Sequence, residues 1–189
     1  MRTKGPGESA LLLLDAVSVL REQGVTYAVI GAMAASVHGV VRASMDADAI
    51  LSLPLSALPG LERTFQSAGF QTELRRGDID DPISSLLAVS DQFGNRVDLL
   101  VGLRGLEETA FRRSINVAFE GETLRVIGRE DFIAMKVFAG GPQDVADAAN
   151  VLEAAAGTLD LELLRRLAER YGRDTADSLR ALLAKRRHS

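Results

Sequence analysis

The chain contains no cysteine, which removes both a disulfide framework and a thiolate metal site and fits a reducing, cytoplasmic setting. It also lacks a long hydrophobic run. The apolar stretch Leu11 to Leu14 is followed by Asp15 and by helical periodicity, and it falls far short of the roughly 18 residues a membrane span needs. Neither a secretory signal nor a membrane partner is therefore expected. An excess of positive charge is missing too. The formal net charge is −4 with a pI near 5.3, which argues against a generally basic nucleic-acid coat. The basic tail Lys185, Arg186, Arg187 reads as a solvated helix end. No internal repeat and no low-complexity segment interrupts the sequence.

What is present is ordinary globular composition: 189 residues, of which 47% are hydrophobic and 25% charged. That length suits one domain, or one domain with a helical annex. Leu11, Leu14, Val17 and Leu20 recur at helical spacing up to Gly24. Thr26 to Ile30 then reads as a short strand ending at Gly31, and Ala32 to Val37 as a helix closed by His38-Gly39. A strand is expected over Asp46 to Leu53, stopped by Pro54, and a helix from Leu55 to Ala68 with Leu58, Leu61 and Phe65 on one face. A third strand follows over Phe70 to Leu74. The segments Ser84 to Ser90 and Arg96 to Val101 then form a hairpin around Asp91 to Asn95, and Asn116 to Phe119 and Thr123 to Val126 flank a turn at Glu120-Gly121. From Glu130 the pattern is helical, with apolar stripes of core type. The expected organisation is an α/β core over 1–128, a mixed twisted sheet flanked by helices, and a C-terminal helical tail over 129–189 packed on it.

The chemistry concentrates between Gly31 and Leu51. A strand that ends in glycine and opens a helix presents unpaired amides, at Gly31 and Ala32, where a phosphate can dock. The next strand carries Asp46 and Asp48 at i and i+2, and such side chains share one face about 6–7 Å apart along the backbone. Acid-x-acid spacing is weak by itself, because Asp78/Asp80, Glu120/Glu122 and Asp160/Glu162 repeat it. The strand-glycine-helix unit before Asp46 and the apolar Ile50-Leu51 after Asp48 set this pair apart.

Asp98 stands inside the apolar run Val97 to Val101, an unusual place for an unpaired acid. Three carboxylates converging to about 5 Å repel by roughly 3 kcal/mol per pair at an effective dielectric near 20, and a dication resolves this. Oxygen ligands with no cysteine and two histidines favour Mg²⁺, with Mn²⁺ as a substitute, over zinc.

Gly31, Ala34, His38-Gly39, Arg42, Ser44 and Asp46-x-Asp48 resemble the signature of minimal nucleotidyltransferases of the DNA polymerase beta-like superfamily, in particular relatives of AbiEii-type toxins. The resemblance continues through Val97 to Leu100, through Arg129 to Lys136, and through Asp144 and Asp147, spanning roughly 24 to 153. It implies a polymerase beta-like fold in which Asp46, Asp48 and Asp98 are the catalytic, metal-binding aspartates, an NTP is bound, NMP passes to an acceptor and pyrophosphate leaves. It further implies nucleotide contacts from Gly31, Ala32, Arg42, Ser44, Lys136 and Asp147. Lys136 would act as a mobile point charge and Arg42 as a forked clamp. His38, despite its titration range, reads as a helix-closing residue rather than an acid or base. Two features depart from the family pattern: Ala32 offers an amide but no hydroxyl, and Gly140 to Gln143 replaces a charged helix start. Three functions stay open: transfer to tRNA or protein as the toxin of a toxin-antitoxin pair with a cognate antitoxin as partner, transfer to a small antibiotic-like molecule, and a non-catalytic nucleotide-binding or partner-binding module.

Overall fold

A computed structural model of the chain describes residues 1–40, 45–155 and 157–186. The described elements run α1 (Ser9–Glu22), β1 (Thr26–Val29), α2 (Gly31–Val37), β2 (Asp46–Ser52), α3 (Leu58–Ser67), β3 (Gln71–Arg76), β4 (Ile83–Ser90), β5 (Arg96–Leu103), α4 (Thr109–Arg113), β6 (Ile115–Phe119) and β7 (Glu122–Val126). Four helices follow: α5 (Arg129–Ala139), α6 (Pro142–Ala154), α7 (Leu161–Tyr171) and α8 (Arg173–Arg186). The strands form one seven-stranded mixed sheet in the order β3-β4-β5-β2-β1-β7-β6. The fold class expected from the sequence is the one observed.

Most differences from the expected elements are at boundaries and have local causes. Pro54 ends β2, but the helix after it starts as a 3-10 turn over Leu55–Ala57 before Pro59 takes an early position in α3. β3 extends to Arg76, because pairing with β4 carries it past the apolar residues. The short helix α4 has no strong periodic signal, and Ala110 and Phe111 hold it against the core. The β6–β7 turn matches its sequence closely: Glu120 and Gly121 both have positive φ, 48° and 77°, the backbone a two-residue hairpin turn prefers.

The sheet's two faces have different fates. Ala47, Ala49, Leu51, Val97, Leu99 and Val101 point to one face and are all buried, with α1 packed on β2 and β5 and α3 on the neighbouring β3 and β4. The opposite face of β2 and β5 carries the alternate residues, and there polar side chains are half-buried or exposed. The helical region after β7 is continuous with the same core, in which Phe132, Ile133, Leu152, Leu164 and Leu179 join Leu13 and Leu99. No helix among the described residues is long and apolar enough to cross a membrane.

Candidate active site

The acids expected to act together fall on two adjacent, parallel, central strands. Asp48 lies directly opposite Asp98, and Asp46 directly opposite Arg96. Residues in register share a face and sit about 4.8 Å apart across the strands, so Asp46, Asp48 and Asp98 all emerge on the face that α1 and α3 leave uncovered. β5 has a neighbour on each side, so an edge position does not account for the aspartate in its apolar run.

Gly31 fixes the position of Asp48. The strand β1 passes into α2 at this glycine with φ +63°, and the Ile30 amide donates to the Asp48 carbonyl at 2.9 Å. A methyl group on Gly31 would stand 2.9 Å from Asp48 Cγ and nearer still to its Oδ2. Glycine is therefore required twice here, for the left-handed backbone and for the approach of the carboxylate.

The same face carries two arginines that sequence reading passed over. Arg96 Nε donates to Asp98 Oδ1 at 2.6 Å. Across β4, Glu73 stands in register with Ala88 and so with Asp98, and it is held by a forked pair of bonds from Arg75, Nε at 2.7 Å and the second nitrogen at 2.9 Å. The signal was present as opposite charges at i and i+2, Arg96-x-Asp98 and Glu73-x-Arg75, within strand-like runs. In this conformation no three acids or histidines among the described residues stand close enough to hold one ion together.

Beside Asp48 opens a cleft of about 250 Å³ between the sheet and α5. Gly31, Asp48, Lys136 and Asp144 stand at its polar side, with Leu100 and Phe132 among its apolar walls. Lys136 is engaged by two carboxylates in this conformation. Its ammonium donates to Asp144 at 2.6 Å, bridges to Asp147 at 3.0 Å and lies 5.8 Å from the Phe132 ring centroid. Asp147 is buried at 1% exposure and also accepts from Gln143 at 2.9 Å. From that position Asp147 helps to hold Lys136 at the cleft. Ala32 is buried at the first turn of α2, and Arg42 and Ser44 lie outside the described residues.

His38 caps the C-terminal end of α2. It is buried, its Nε2 donates to the Ile127 carbonyl at 2.9 Å, and its ring tilts against Phe132. Burial pushes its imidazole below the ordinary histidine range. It is a structural residue, as its position in the sequence suggested. A larger cleft of about 680 Å³, lined by Arg76, Asp78, Asp81 and Arg104 among others, opens beyond the C-terminal end of β5 and contains none of the aspartates of the triad.

No protein-family model and no curated protein matches the chain. Solved structures do match it in three dimensions. ANT(2'')-Ia, in a complex with adenylyl-2''-tobramycin, superposes with a TM-score of 0.59 at 13% identity over 86% of this chain and 98% of its own. A nucleotidyltransferase of Thermotoga maritima gives 0.57 at 17% identity over 80% of this chain and 97% of its own. The lincosamide antibiotic adenylyltransferase LnuA, lincomycin-bound, gives 0.50 at 12% identity over 80% and 99%. At these identities the likeness is one of architecture: this chain has the fold on which those nucleotidyltransferases are built.

Proposed function

We propose that the chain is a metal-dependent nucleotidyltransferase that moves NMP from an NTP to an acceptor and releases pyrophosphate. The observation that carries this reading is the placement of Asp46, Asp48 and Asp98 on one open face of two parallel strands, with Asp48 pressed against the Gly31 turn beside a cleft. The donor set fits Mg²⁺ or Mn²⁺, because it is all carboxylate oxygen on a rigid register. Bound there, the metal would supply charge neutralisation on the transferred and leaving groups.

The chain's own residues supply the rest. Asp46, Asp48 and Asp98 would ligate the metal, with Asp98 also placed to accept the proton of the attacking hydroxyl. The acceptor oxygen bonds to the α-phosphorus as the bond to the β-phosphate bridge breaks, and pyrophosphate carries off the displaced electron pair. Lys136, oriented by Asp144 and Asp147, faces the same cleft as Asp48 and would meet the triphosphate. Gly31 and Ala32 would offer backbone amides beside it, with further contacts from Arg42 and Ser44, which shortly precede Asp46 in the sequence.

For the acceptor, a small hydroxyl-bearing molecule is the favoured reading. The chain covers nearly all of ANT(2'')-Ia and LnuA, whose structures hold an adenylylated and a bound antibiotic, and a net charge of −4 disfavours a polyanionic acceptor. The test is incubation with each α-³²P-labelled NTP and Mg²⁺ alongside three acceptor pools: hydroxyl-bearing small molecules, total tRNA and cell lysate. Label on a small molecule supports the favoured reading. Label on tRNA or protein supports the toxin reading instead, and the absence of transfer and of pyrophosphate release with every NTP and pool overturns the enzyme.

A further inference from the structure

We propose that Arg96 is a positioning residue for the metal site, an internal counter-cation that holds Asp98 in the ion-free protein and gives it up when a divalent cation binds. The proposal rests on the metal-dependent reading above. Arg96 precedes Asp98 by two residues, so both project from the same face of β5, and it stands in register with Asp46 on β2. Its guanidinium therefore lies in the field of both acids, with the short Nε–Oδ1 contact to Asp98.

The neighbouring cation is committed elsewhere, since Arg75 is gripped through two bonds by Glu73. Lys136 is likewise tied to Asp144 and Asp147. The bond from Arg96 to Asp98 is thus one that must change for Asp98 to join a shared ion. A carboxylate turned toward a partner arginine is not gathered with Asp46 and Asp48, and none of the described acids forms a three-ligand cluster. A dication brought to the face both competes for Asp98 and repels the guanidinium. Arg96 consequently stabilises the empty site against repulsion among its carboxylates and weakens the site for metal.

The experiment is calorimetric titration of the whole chain with Mn²⁺, together with melting curves with and without Mn²⁺, for the wild type, Arg96→Gln and Arg96→Lys. Arg96→Gln should bind Mn²⁺ about tenfold more tightly, the scale of one charge-assisted hydrogen bond surrendered. It should melt lower than wild type when ion-free and show a larger rise on adding Mn²⁺. Arg96→Lys, which keeps the charge without the planar fork, should fall between, and it serves alone if the glutamine variant does not fold. A salt bridge that only stabilises the sheet would lower melting equally with and without Mn²⁺ and leave affinity unchanged, and that result in either variant overturns the proposal. A wild type that takes up no Mn²⁺, with or without a non-hydrolysable NTP, overturns the metal reading as well, whereas wild-type binding with no gain in the variants overturns the role of Arg96 alone.

Discussion

Replacing Gly31 with alanine tests the site's central contact, because the substitution has two separable costs. The first is backbone strain. Gly31 has φ +63°, a conformation that costs an L-residue roughly 1–2 kcal/mol, which for a chain of this size lowers the melting temperature by about 2–8 °C. The second falls on Asp48 alone. The new methyl would sit 2.9 Å from Cγ and 3.2 Å from Cβ of Asp48, so the carboxylate must retreat by about 1 Å, a misplacement that can cost a catalytic site 10²-fold. Gly24→Ala is the control: its φ is +65°, and nothing lies within 4 Å of the added methyl. Both variants should therefore melt lower by similar amounts, while NTP turnover and Mn²⁺ affinity fall in Gly31→Ala only. If the two variants turn over NTP at the same rate, Gly31 does not position Asp48 for chemistry and the argument from close approach fails.

Asp48→Asn should abolish metal-dependent NTP turnover while the melting temperature holds or rises, since one charge leaves an anionic face; wild-type turnover with Mg²⁺ would refute the ligand assignment. Lys136→Ala removes the cation from a carboxylate that is 1% exposed, which should cost about 3 kcal/mol in a denaturant titration at neutral pH. Adding Asp147→Asn should restore most of that stability without restoring affinity for a non-hydrolysable NTP; restored affinity would return Lys136 to a structural role. His38 makes stability depend on pH with a definite sign. Its folded-state pKa lies below the usual 6.5 because burial disfavours the charged ring, so the unfolded chain takes up the proton first. The stability it contributes is whole above about pH 6.5 and is lost as pH falls toward the folded value. Denaturant midpoints between pH 7.5 and 5.5 should accordingly drop less for His38→Gln than for wild type.

Much of the fold was legible because the apolar pattern and the punctuation agree along the chain. The acids stood out for the same reason: Asp98 interrupts the run Val97 to Val101, and Asp46-x-Asp48 follows a strand, a glycine and a helix. What the sequence did not disclose is partnership. Spacing shows that Arg96 and Asp98 share a face, but whether an arginine turns to its own strand, to Asp46 across the ladder or to solvent depends on the β2–β5 register. Asp147 illustrates the same limit. Its place in the sequence does not reveal that it is buried beside Lys136, since α5 and α6 must first pack to bring the two to 3.0 Å. α4 was missed because five residues are too few for periodicity to show.

The charges on the open face also argue for an order of events in the proposed reaction. Among the described residues, Asp46, Asp48, Asp98 and Glu73 share that face with Arg75 and Arg96, so acids outnumber guanidinia there and a dication would offset the excess. A nucleotide arriving without metal would meet these carboxylates with Lys136, itself held by Asp144 and Asp147, as its cationic contact in the cleft. In the proposed reaction the triphosphate would therefore come with cations, or after them. If Asp98 joined Asp46 and Asp48 on a bound dication, Arg96 would lose its partner, and a released guanidinium on that face would suit a pair of phosphate oxygens. On that logic, NTP affinity in the wild type should rise steeply with Mn²⁺ concentration and should rise less steeply in Arg96→Gln, where the site begins without its competing cation. Parallel slopes in the two proteins would show that Arg96 takes no part in the exchange.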